Sequence, residues 1–216
     1  MALVTHHSSL NLYLASANAG KLREFRAAAV ARGIAVEAVP GIESLPYCLE
    51  DGPTFEANAR KKALHYSAYV DGPVFADDSG ICVDALGGGP GIHSARFAGP
   101  EADDAANNRR LLAELHRVEQ RPGLNPALTR AAHYLCVIAL AERGRIITAV
   151  EGRADGIIIA APRGSGGFGY DPHFFCPPLG KTFAELSPEE KFAVSHRGEA
   201  FRRLLEFLQQ RQGESG

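Results

Sequence analysis

The stretch that decides the fold is residues 12–39, "LYLASANAGKLREFRAAAVARGIAVEAV". "LYLAS" is a short strand-like run, and "ANAG" after it reads as loop. From Lys21 the pattern turns helical. Leu22, Phe25 and Ala29 recur at i, i+3 and i+7, the spacing of one helix face. Gly33 stands where a helix C-terminal glycine belongs. "IAVEAV" then reads as a second strand. Strand, loop, helix and strand in this order make a βαβ unit, so the two strands are expected to be parallel.

Downstream, Thr54 can cap a helix running to about Val70, stopped by "DGP". "VFADD", ending at Asp78, is the next strand. Asp103 or Asp104 caps a helix with Leu111, Leu112 and Leu115 inward. "RPGLNP", from Arg121, is a turn-rich surface loop. Two long strands follow, joined at Arg143-Gly144 in hairpin fashion. "HFFC" is a brief strand. Ser187, Pro188 and Glu190 make a capped helix start, and the last helix, from about Ser195, buries Phe201, Leu204, Leu205 and Leu208. The fold class is α/β: a mixed central sheet flanked by helices, forming two lobes around a cleft. Residues 11–212 are expected to form a single domain, with residues 1–10 a flexible leader.

Composition narrows the function. The 216 residues can bury a substantial core. A formal net charge of −2 supplies no global basic field for nucleic acid or an anionic membrane, though a local cluster can bind a small anion. No apolar run reaches bilayer length, and the start lacks the pattern of a signal peptide. Cys48, Cys82, Cys136 and Cys176 form no CxxC pair and read as reduced thiols, so the chain is expected to be cytoplasmic.

Four segments carry candidate chemistry. In "SANAGK", Ser16 to Lys21, the free N–H groups of a helix start, a lysine and the side chains of Ser16 and Asn18 can hold a polyphosphate, though the glycine spacing is not that of a Walker A loop. Alone it also reads as an ordinary βα turn. In "FADDSG", Asp77 and Asp78 suit a hard divalent cation at a strand end. Successive strand residues point to opposite faces. Either the strand ends at the pair, or one aspartate binds metal while the other props the loop. In "GSGGFGYDP", Phe168 and Tyr170 lie in a pliable context where a base can stack. In "KFAVSHRG", Lys191, His196 and Arg197 gather donors for a phosphate or a keto oxygen, or form a solvated basic helix start.

Together, in this order and spacing, "LASANAGKLREF", "FADDSGICVDALGGGPGIHSARFAG", "GSGGFGYDP", "GKTFAEL" and "SPEEKFAVSHRG" resemble the inosine triphosphate pyrophosphatase family, the Ham1-like noncanonical purine nucleoside triphosphatases, in its bacterial form. The resemblance covers residues 12 to about 208. It implies hydrolysis of inosine, deoxyinosine and xanthosine triphosphates to the monophosphate and pyrophosphate, with Mg²⁺, in a homodimer. It also implies roles for particular residues. Ser16, Ala17, Asn18, Ala19, Gly20 and Lys21 form the phosphate loop, and Lys62 faces the phosphates. Asp78 is general base and metal ligand, with Glu50 as a further metal carboxylate; beside them, from its place in the pair, Asp77 reads as a second metal ligand or as loop support. Ser79 contacts substrate. Phe168, Gly169, Tyr170 and Asp171 line the base pocket, and Lys191, His196 and Arg197 read the base or a nearby phosphate. Two departures stand out: Ala17 replaces a usual glycine, and in "TFEANA" the acid lies at Glu56 rather than at Ala57. One residue on a helix is a rotation of about 100°, so Glu56 is assigned no catalytic role. Two other readings stay open: a sensor that holds a purine triphosphate without cleaving it, and a Maf-like pyrophosphatase acting on modified pyrimidines.

Overall fold

The computed structural model describes residues 10–30, 32–121 and 129–214. Strand β1 (Asn11–Leu14), helix α1 (Ala19–Val30) and strand β2 (Ala35–Ala38) form the expected unit, and β1 and β2 are parallel. Helix α2 (Phe55–Tyr66) leads into β3 (Val74–Val83), which is parallel to β1. Then come β4 (Gly89–Pro90), α3 (Asp104–Glu119), β5 (Ala131–Glu142) and β6 (Arg145–Ile158). Strands β7 (Phe174–Cys176) and β8 (Lys181–Thr182) precede α4 (Pro188–Val194) and α5 (His196–Glu214). The strands make one mixed sheet in the order β2-β1-β3-β5-β6-β7-β8, with β4 on β3 outside that path. The β1 edge of β3 carries the parallel pair with β1 near Val74 and the short antiparallel pair with β4 near Val83, and the other edge is antiparallel to β5 throughout.

The two faces of the sheet are read directly from alternation along β3 and β5. Phe75 and Ile138 join Leu12, Leu14, Phe25 and Phe201 beneath α1 and α5. Val74, Ala76, Val137 and Ala139 join Phe55, Ala59 and Ala63 beneath α2. A third cluster, with Ile81, Val83, Leu111, Leu115, Tyr134 and Phe174, lies at the far end of β3 under α3. Phe25 meets Phe75 edge-on at 5.1 Å. Burying such a ring is worth about 2–3 kcal/mol, which fixes α1 on the sheet.

Three expected boundaries move. Helix α1 begins at Ala19, inside the expected loop, because the Asn18 side chain accepts from Lys21 N at 3.0 Å and caps it. Helix α2 stops at Tyr66 rather than near Val70, where the Ser67 hydroxyl donates to the Leu64 carbonyl at 2.8 Å. Strand β3 does not end at the aspartates. It pairs with β5 from Val74↔Ala141 to Val83↔Ala132 without a break. The expected caps hold: Thr54, Asp103 and Ser187 each accept from the third residue on. Residues 1–9, and the "RPGLNP" loop apart from Arg121, lie outside the described residues.

Candidate active site

Because β3 continues, its pleat sends the two adjacent aspartates to opposite faces. Asp77 follows Phe75 toward α1 and α5. It is fully buried, with Oδ2 2.8 Å from Lys21 Nζ and 3.5 Å from Arg197 Nε. Burial alone would raise its pKa. Lys21, Arg197 and Lys62 outweigh that and hold it well below the usual carboxylate range. Asp78 follows Ala76 toward α2. Its Oδ2 accepts from Asn58 Nδ2 at 3.0 Å, and its Oδ1 from Ser79 N at 3.0 Å. Here burial wins and raises the pKa, against the opposing pull of Lys62 and Asn58. Identical neighbours in sequence thus differ in kind: one carboxylate is answered by cations, the other is held ready for a proton.

The α2 side supplies the rest of this end. Lys62 Nζ lies 3.0 Å from Glu50 Oε2. Burial works to lower the Lys62 pKa, but Asp77 and Glu50 hold it above the ordinary lysine value. Glu50 is in turn near enough to Asp78 to help raise that carboxyl. Glu56 pairs with Arg60 on the surface at 2.7 Å.

"SANAGK" forms a tight capped turn. Ser16 Oγ accepts from Asn18 N at 3.2 Å, and Asn18 Oδ1 is spent on the α1 cap. The Ser16 hydroxyl hydrogen and the Asn18 amide N–H groups remain as donors beside the first turn of α1.

On the α5 side, Ser79, Ser94, Tyr134, Phe168, Asp171, Lys191, His196 and Arg197 are among the residues lining a cavity of about 130 Å³. Phe168 is 41% exposed, with Lys191 Nζ 4.5 Å and Arg197 Cζ 5.3 Å from its ring centroid. Lys191 donates to Asp171 Oδ2 at 2.6 Å, and Arg197 Nη2 to Ser79 Oγ at 3.4 Å. His196 is buried and stacked on Tyr134 at 4.5 Å. Burial, then Arg197 and Lys191, keep its imidazole far below the ordinary pKa, so the ring is neutral. Tyr170 is buried, its hydroxyl donating to the Ser94 carbonyl at 2.7 Å, so it builds the wall while Phe168 offers the open ring.

The family model for the Ham1 family matches residues 12–207. The chain belongs to the Ham1 family. Its relatives include the dITP/XTP pyrophosphatase of Geobacillus kaustophilus, 46% identical over 205 residues, covering 95% of this chain and 97% of that one. The dITP/XTP pyrophosphatase of Ralstonia nicotianae is 48% identical over 204 residues, covering 91% and 96%. Among solved structures, a HAM1 protein from Coxiella burnetii superimposes with a TM-score of 0.81 at 37% identity, covering 93% of this chain and 99% of that one. The Staphylococcus aureus Ham1 protein gives 0.78 at 35%, with the same coverage.

Two residues of this Ham1 site escaped the sequence reading. Asn58 holds Asp78 through Nδ2 while its Oδ1 accepts from Gly52 N at 2.7 Å. It lies in "TFEANA", one residue past Ala57, where a polar side chain among alanines on the helix is the available signal. Glu24 accepts from Arg197 Nη1 at 2.8 Å and lies 3.9 Å from Lys191 Nζ. Its signal was i, i+3 spacing from Lys21 on α1, which puts both side chains on one face.

Proposed function

We propose that this Ham1-family chain is a nucleoside-triphosphate pyrophosphatase that converts noncanonical purine nucleoside triphosphates (dITP, ITP, XTP) to the monophosphate and pyrophosphate. The observation that carries the reading is Asp78: a half-buried carboxylate of raised proton affinity, aimed by Asn58 and the Ser79 N–H, with Lys62 beside it. A group so placed takes the proton from a water that attacks the α-phosphorus. The first turn of α1, Ser16, Asn18 and Lys21 bind the phosphates. Lys62 offsets charge on the leaving pyrophosphate.

Glu50 and Asp78 fit Mg²⁺. They are hard oxygen donors on one side of the sheet, and magnesium typically takes one or two carboxylates and completes its shell with water and substrate phosphates. The ion, when bound, neutralises phosphate charge and acidifies water. Asp77 takes the supporting role rather than that of a ligand, since Lys21 and Arg197 already claim it on the other face.

Phe168 offers a stacking face to any purine. Selection falls to Lys191 and Arg197, donors suited to a 6-keto oxygen. Adenine presents an amino group there, and each buried donor left unsatisfied costs about 1–3 kcal/mol, on the order of 5- to 150-fold in affinity. Among the described residues no helix is long and apolar enough to cross a membrane. We read the chain further as cytoplasmic, from its free cysteines, and as a homodimer, as the family resemblance implies; sedimentation equilibrium tests the dimer.

The test is pyrophosphate release from dITP, ITP, XTP, GTP, ATP, dUTP and modified pyrimidine triphosphates, with Mg²⁺ present and then chelated. Turnover confined to the 6-keto purines, abolished by chelation and by Asp78→Asn, is the expected result. Faster turnover of pyrimidines would favour the Maf-like reading, and binding without cleavage would favour the sensor.

A further inference from the structure

The aromatic ring at Phe168 is useful as a stacking face only if the glycine-rich segment around it is held still. Gly169, next in the chain, has φ +64°, in the left-handed region, and glycines at 164 and 167 also have positive φ. So pliable a backbone needs outside support. The support is specific. The Gly169 N–H donates to Asp104 Oδ2 at 2.6 Å, and the Gly169 carbonyl accepts from Asn108 Nδ2 at 2.8 Å. Both polar groups of one residue are gripped by the first two turns of α3, from positions i and i+4, which share a helix face.

The grip is anchored behind as well. Asn108 Nδ2 also donates to the Asp104 carbonyl at 2.8 Å. Asn107 ties the helix start to the segment after β4: it accepts from Ala98 N at 2.8 Å and donates to the Ala95 carbonyl at 3.1 Å. That segment in turn receives the Tyr170 hydroxyl at the Ser94 carbonyl, and Ser94 is pinned to β3 through Ile81 N at 2.9 Å. A continuous path of hydrogen bonds therefore runs from the aspartate strand, through the turn after β4 and the start of α3, to the peptide beside Phe168.

We infer that Asp104 and Asn108 are positioning residues for base stacking, setting the height and tilt of the Phe168 ring from a helix that contributes nothing to the phosphate or metal side. The inference rests on the reading of the Phe168 cavity as the base pocket. It gives the two residues no part in the chemical step. Their loss should weaken recognition of the base and leave recognition of the triphosphate in place.

The experiment compares the KM and kcat for dITP with the competitive Ki of 2-deoxyribose 5-triphosphate, which carries sugar and phosphates but no base. In Asp104→Ala and in Asn108→Ala the KM for dITP should rise on the order of tenfold, the share of affinity that stacking commonly supplies, with kcat falling less than about threefold. The Ki of the base-less triphosphate should move less than about twofold. Asp104→Asn removes the charge but keeps an acceptor for Gly169 N, so its KM should stay within about threefold of wild type. This separates the hydrogen bond from electrostatics, since losing a negative charge alone would tighten binding of an anion. KM and Ki rising together, or a lowered Tm with unchanged KM, would overturn the inference. Should an alanine variant fail to fold, Asn108→Asp, which replaces the donor with an acceptor, carries the same test. The base-pocket reading itself fails separately if wild-type enzyme binds the base-less triphosphate as well as dITP.

Discussion

Asp77→Asn should destabilise the fold far more than Asp78→Asn, although the residues are neighbours with the same side chain. At an effective dielectric constant of about 20, contacts of 2.8 Å and 3.5 Å between Asp77 and its two cations amount to about 6 and 5 kcal/mol before desolvation is subtracted. Breaking a buried pair by removing one partner typically costs about 3–5 kcal/mol, because the surviving charges stay buried without compensation. Here Arg197 keeps Glu24 at 2.8 Å, and the Lys21 side chain is 19% exposed. The lower end of that range, about 3 kcal/mol, is therefore expected for Asp77→Asn. Asp78 is the reverse case. Burial disfavours its charge, while an asparagine offers one acceptor oxygen to the two donors Asn58 Nδ2 and Ser79 N, so the two effects oppose and Asp78→Asn should stay within about 1 kcal/mol of wild type while abolishing turnover. The pH dependence differs in sign between the two. A depressed carboxylate such as Asp77 contributes stability at neutral pH that is lost as the pH falls below the ordinary carboxylate range. A raised one such as Asp78 costs stability as the pH rises through its folded pKa. Urea unfolding at pH 7, read as the midpoint at constant slope, measures both variants. Equal losses, or a larger loss for Asp78→Asn, would refute the division of the two carboxylates between the faces of β3.

Asn58→Ala should lower kcat for dITP on the order of 10- to 100-fold, as expected when a positioned base loses its support. Because the Asn58 hydrogen bond lowers the Asp78 pKa, the acid limb of its kcat/KM profile should move to higher pH; an unmoved limb would separate Asn58 from the base. Gly152→Ala should cost about 3 kcal/mol or more, read as Tm, because a Cβ there would overlap the His196 carbonyl and Ala200 N and push α5 off β6. Thr54→Ala removes the cap of α2 and should cost about 1 kcal/mol by urea unfolding, with a matching small effect on Asp78, whose Asn58 support rides on that helix.

Much of the fold was legible because its signals are local. The periodicity of Leu22, Phe25 and Ala29, the caps at Thr54, Asp103 and Ser187 and the turn at Arg143-Gly144 depend on residues a few positions apart. The boundary errors share one cause: a side chain that bonds its own backbone, Asn18 or Ser67, decides whether one more turn is helical, and the apolar pattern does not contain that information. Whether β3 ends at the aspartates is undecided in the sequence for a different reason. Two charges after an apolar run read as a strand end, but β5 continues to offer hydrogen-bond partners past them, and cations from α1 and α5 answer Asp77.

By itself the sequence determined the α/β class, the order of elements and the four segments that belong together, since each is written in spacing, capping and residue type. Only the tertiary structure decided how Asp77 and Asp78 differ, that Asn58 and Glu24 belong to the site, and that α3 grips the peptide beside Phe168. Those facts depend on which charges and donors arrive from elements up to 173 positions away. Burial and Coulomb interaction act on distance in space, and no local pattern encodes that distance.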